Sequence, residues 1–192
     1  MKPKTMNTGT RIMNQITHPV IAATMLAVYA LGCGNQESPQ PSASSTVPLP
    51  QSLIAAAAPA NAVGVVEARK NVEPGARIVI TGYIGGRVDP FVDNRAAFTL
   101  ADAKALVRCD ANPDDHCKTP WDACCETHEK LKTSIATVQA VDDGGLVLKQ
   151  TLKGFGGIKP GSYVTVQGKV APGATSDALV INAEKIHLTP AQ

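Results

Sequence analysis

Residues 109–129 (CDANPDDHCKTPWDACCETHE) gather four cysteines, two histidines and six carboxylates, and the only other cysteine of the chain is Cys33. Two chemistries suit that composition. In an oxidising compartment the thiols pair as two disulfides, each worth roughly 2–4 kcal/mol. Cys124 and Cys125 are neighbours, where a bond between them would be strained, so each is expected to take one of Cys109 and Cys117, with the assignment open. Kept reduced, Cys109, Cys117, Cys124 and Cys125, or a set exchanging one of them for His128 or His116, offer sulfur-rich ligation for Zn(II) or Cu(I). The C-x7-C-x6-C-C spacing lacks the C-x2-C knuckles of structural zinc sites and contains no C-x-x-C redox pair. Disulfides are therefore the first expectation and a metal site the alternative.

The elements that must position these residues follow from local grammar. Thr119, Pro120 and Asp122 supply a capping hydroxyl, a proline at the first helical position and an early carboxylate, which predicts a helix running to about Lys132. On it one or both of Cys124 and Cys125 would share a face with His128, and Trp121 would plug the unit onto the rest of the domain. Around this insertion, 109–132, the domain 63–190 reads as β-structure: runs at 76–84, 96–100, 134–141, 146–152, 162–170 and 178–188 alternate or carry β-branched residues. Gly144 and Gly145 after two aspartates predict a hairpin turn between 134–141 and 146–152. Glycines inside the first and penultimate strands predict a small closed barrel, since interior glycine marks tight coil or close backbone approach.

The phrases VITGYI, AAFTLAD, VTVQGKV and LVINAEKIHL resemble the pattern of oligonucleotide/oligosaccharide-binding (OB) folds over roughly 115 residues. CKTPWDACCE is similar to clusters in uncharacterised OB-like bacterial lipoproteins. The resemblance implies a mainly β, small OB-like barrel with a helix-containing insertion, and a binding face on its middle strands and adjoining loops. Nucleic acid is disfavoured, because the aromatics are few and Phe98 and Tyr163 are expected in the core. Catalysis has no motif behind it. GYIGG at 82–86 lacks a phosphate-binding Lys-Ser or Lys-Thr, and neither G-x-S-x-G nor H-E-x-x-H occurs. Asp89, Asp93 and Asp102 with Arg87 and Arg95 read as a solvated charged loop, and His187 as a half-exposed strand-end histidine.

The N-terminus sets the location. Lys2, Lys4 and Arg11 precede an apolar run at 20–32, and no acidic residue intervenes, as in a secretory signal. At about 1.5 Å per residue that run reaches about 20 Å, short of a bilayer core of about 30 Å, so the segment 1–32 is expected to be cleaved. Ala30-Leu31-Gly32-Cys33 resembles the lipobox of bacterial lipoproteins, which implies a lipidated Cys33, although Ala30 with Gly32 also suits ordinary signal peptidase. Gly34 carries no inner-membrane retention signal as lipoproteins go, which implies the outer membrane where two membranes exist. Residues 33–62, rich in Pro, Ser and Ala, read as a tether, with a short helix possible at 53–58. Of the eighteen Lys and Arg, three lie in 1–32, leaving fifteen against sixteen Asp and Glu, a mature net charge of −1 that gives no electrostatic case for a phosphate backbone. The expectation is a lipid-anchored envelope module without catalytic activity that binds a small ligand, glycan or envelope protein. A thiolate or histidine metal protein and a purely structural lipoprotein are the alternatives.

Overall fold

The computed structural model describes residues 47–111 and 117–190; the segment 1–32, Cys33 and His116 lie outside the described residues. Helix α1 (Val65–Ala68) precedes strand β1 (Arg77–Ile84), which is followed by β2 (Ala97–Ala101), helix α2 (His128–Ser134), β3 (Ile135–Gln139), β4 (Tyr163–Val170) and β5 (Val180–Leu188). The strands close into a barrel in the order β1-β2-β3-β5-β4. β1 closes it: antiparallel pairs run from Arg77 with Lys169 to Tyr83 with Tyr163 on β4, while Tyr83 and Ile84 also pair with Ala101 and Leu100 on β2. β3 and β5 run parallel from Thr137 with Val180 to Gln139 with Asn182. The fold is mainly β, the small closed barrel that the strand pattern and the interior glycines predict.

Two of those glycines show why. A Cβ on Gly82 would run into the carbonyl oxygen of Ala101, and one on Gly168 into that of Asn182. Gly82 thus lets β1 approach β2 at the seam, and Gly168 sits at the register shift of β4 against β5, where a bulge adds twist. Alternation then fills the interior. Ala136 and Val138 of β3 point inward between half-exposed neighbours, and Ile80, Leu100, Val138, Val166 and Ile186 meet in one core.

Several expectations are corrected. Residues 47–62 are not simply tether: Leu49 and Leu53 are buried in the barrel core, and Gln51–Leu53 form a 3-10 turn in place of a helix at 53–58. Ile54 then bridges Ile186, and His187 Nδ1 donates to the Ala55 carbonyl at 3.1 Å. Prolines at 48 and 50 do not prevent this, because the segment packs through apolar side chains and needs no continuous ladder. Residues 146–152 form no strand. Val141 bridges Val147, the Leu148 amide donates to Ala140 and its carbonyl accepts from Ala96, after which the chain turns to bury Leu152. The turn itself is as expected: Asp142 accepts from the Gly144 and Leu146 amides, and Gly145 has φ 80°. Tyr163 is exposed, whereas Tyr83 is fully buried. Asp102 is buried as well, so it does not belong to a solvated loop; its carboxylate accepts from the amides of Val66, Lys104 and Ala105 and so caps α1 from another part of the chain. No helix among the described residues is long and apolar enough to cross a membrane.

Candidate functional site

The insertion between β2 and β3 is held by backbone before any side chain acts. The Cys109 amide donates to the Asp122 carbonyl at 2.9 Å, Asp110 to Pro120 at 3.3 Å, and Gly86 of the β1–β2 loop to Trp121 at 3.0 Å. These contacts take the three carbonyls that a helix starting at Pro120 would give to its own next turn. The helix expected from Thr119 therefore does not form; residues 119–122 make a turn closed by Asp122 N to Thr119 O at 2.9 Å, and Asp122, itself buried, accepts from the Ala123 amide at 2.8 Å. α2 begins only at His128, capped by Thr127, whose hydroxyl accepts from Lys130 N. Cys124 and Cys125 precede it and share no helical face with His128. Trp121 is half-buried and anchors the unit through Nε1 donating to the Val88 carbonyl at 2.9 Å.

This frame converges three sulfurs. The Sγ atoms of Cys109, Cys117 and Cys124 lie within 4.8 Å of one another, and Cys125 and His128 stand outside that group. Cys109, on the 3-10 turn Cys109–Ala111, is buried; Cys117 is half-buried and Cys124 exposed. Cys109 and Cys124 are 3.3 Å apart, a thiol contact rather than a bond, against about 2.05 Å for a disulfide. The two separate bridges expected from the sequence are not formed; three of the thiols, those of Cys109, Cys117 and Cys124, converge instead. Burial, with the contact from Cys124, pushes the Cys109 thiol up to about 12. The Thr119 hydroxyl, 3.5 Å from Cys117 Sγ, draws Cys117 below the ordinary thiol value.

Beside Cys109 lies a clamp that was only partly legible in the sequence. Arg108 donates from Nε and Nη2 to the two Asp110 oxygens at 2.9 and 2.5 Å and from Nη1 to the Gly161 carbonyl at 3.2 Å. Its guanidinium lies 5.4 Å from the Tyr83 ring centroid and 5.5 Å from that of Tyr163, two rings whose centroids are themselves 6.1 Å apart, so one cation contacts both and ties the insertion to β1 and β4. The Arg-Cys-Asp run carried a partial signal in the i, i+2 charge pair, but the two tyrosines are distant in sequence.

On the other side Cys124 opens onto a cleft of about 730 Å³. Its floor is β2 and β3, with Phe98, Thr99, Ile135 and Thr137; its walls are Arg87 and Val88 of the β1–β2 loop, Asp177 and Leu179 of the β4–β5 loop, and Cys124, His128, Leu131 and Lys132 of the insertion. Arg69, at the end of α1, braces it, donating from Nε and Nη2 to the Ile135 carbonyl at 3.2 and 2.6 Å and from Nη1 to the Ser176 carbonyl. Compared with protein-family models, with curated proteins and with solved structures, the chain matches none.

Proposed function

We propose that the protein is a lipid-anchored module of the bacterial cell envelope whose barrel binds a ligand or partner without transforming it. The observation that carries this reading is the position of the cleft. Strands 2 and 3 with the loops joining strands 1–2 and 4–5 form the surface on which OB barrels bind, and the cleft is lined by those four segments. Phe98 and Ile135 on its floor offer burial, while Arg87, Lys132 and Asp177 at the walls offer charges of both signs and His128 a polar ring, suited to a small polar ligand, a glycan or a peptide segment of another envelope protein. The signal-like segment, the lipobox-like run before Cys33 and the Pro-rich stretch that follows it support an anchored domain held off the membrane.

A photo-crosslinking side chain placed at Val88 or Val92, both exposed and lining the cleft, tests it in cells. Leu146, exposed on the turn after Asp142 and not part of the cleft, is the control position. A light-dependent adduct from Val88 and Val92 but not Leu146 is expected, of low mass for a small ligand or glycan and of protein size for a partner. No adduct, or equal labelling from Leu146, rejects the cleft as a binding site.

A further inference from the structure

Disulfides consume sulfurs in pairs, yet three cysteines meet here. Cys109, Cys117 and Cys124 come from separate segments of the insertion, and every pair of their sulfurs is within 4.8 Å. Around one cation at a metal–sulfur distance of about 2.3 Å, neighbouring thiolates lie about 3.8 Å apart in tetrahedral and about 4.0 Å apart in trigonal ligation. The Cys109–Cys124 separation of 3.3 Å is nearer to those values than to a disulfide bond of about 2.05 Å. We propose that Cys109, Cys117 and Cys124 form a trithiolate site for a thiophilic d10 cation, Cu(I) or Zn(II).

The surroundings fit such a site. Backbone bonds from Cys109 to Asp122 and from Asp110 to Pro120 hold together the two segments of the insertion that carry Cys109 and Cys124. Cys109 forms the buried side, and Cys124, which lines the cleft, the open one. The cation enters from that side. Binding replaces three S–H bonds by three metal–sulfur bonds, releases three protons to solvent and changes no oxidation state. Cu(I) is satisfied by three sulfurs, whereas Zn(II) takes a fourth donor at the open side, either water or a group held in the cleft. Thiolates tied up in this way are protected from the oxidants of the envelope. The inference stands apart from the cleft reading: a metal site without a cleft ligand, or the reverse, separates the two.

The test uses the full-length protein isolated from membranes without chelator or reductant, with metal content and thiol alkylation read on the same sample. One equivalent of copper or zinc per chain is expected, with the identity of the metal choosing between the two cations. Cys109→Ser, Cys117→Ser and Cys124→Ser should each weaken binding at least tenfold, and Cys125→Ser should retain it. Competition of the unmutated protein with graded Cu(I) and Zn(II) chelators reads the same site where a variant fails to fold. Recovery of Cys109, Cys117 or Cys124 in a disulfide overturns the proposal, as does reduced protein that takes up neither added cation, or loss of metal in Cys125→Ser equal to that in Cys124→Ser.

Discussion

Tyr83 is a fully buried phenol whose hydroxyl has no hydrogen-bond partner among the described residues, stacked under the Arg108 guanidinium. Burial raises its pKa above the ordinary phenol value, and the nearby Arg108 charge only partly opposes this. An unfolded tyrosine loses its proton near pH 10, so above that pH the unfolded state ionises while the native state stays protonated. The unfolded state then binds fewer protons, and stability falls as pH rises from about 10 toward the native value. Urea midpoints measured from pH 7 to 11 should therefore drop more steeply at the alkaline end for the unmutated protein than for Tyr83→Phe. At neutral pH the variant should be within about 1 kcal/mol of the parent or more stable, since it removes an unsatisfied buried hydroxyl. Parallel alkaline slopes for the two proteins would reject burial as the source. Residues of this kind are poorly legible in a sequence. Asp102 stands in a run of charges and reads as solvated, yet it is buried because its carboxylate meets amides thirty-six residues upstream as well as two and three residues on.

Elements were legible where local pattern and tertiary demand agree. The runs that became β1, β2, β3, β4 and β5 carry alternation, and Gly82 and Gly168 mark the close approaches of a small barrel. Where the two conflict, tertiary bonds prevail: the start signal at Thr119 and Pro120 is sound, but the carbonyls of 120–122 are taken by Asp110, Gly86 and Cys109, and the helix waits for Thr127. The four cysteines were visible as a cluster, but which of them meet was not, because that depends on where this turn replaces a helix. The segment at 47–55 is the reverse case, a Pro-rich stretch that reads as tether and contributes to the core. Leu53 is 3 % exposed and packs into the same cluster as Ile80 and Ile186. Leu53→Ala should lower stability by about 2–4 kcal/mol, the range for emptying a buried leucine site. A denaturation midpoint unchanged within error would return 47–55 to the tether.

At the scale of the whole molecule, the proposed anchor and the described core draw on different parts of the chain. Among the described residues the buried core begins at Leu49 and ends at Ile186, whereas the lipid attachment proposed at Cys33 lies outside the described residues and precedes a run rich in Pro and Ser. On that proposal, loss of Cys33 should change location without changing stability. A single acyl chain gives only marginal membrane attachment, and two or more make it durable, so loss of the modified cysteine removes the anchor as a whole. In full-length Cys33→Ala the protein should leave the membrane fraction, and its intact mass should lack the acyl groups carried by the parent. Its urea midpoint should match that of the parent in detergent within about 0.5 kcal/mol, the range of a substitution that removes none of the described core contacts. Release with an unchanged midpoint supports a barrel that folds independently of its anchor. Retention in the membrane fraction, with the parent also unmodified at Cys33, would favour cleavage by ordinary signal peptidase and attachment through a partner, and the cleft over β2 and β3 would then be the surface to examine for that contact.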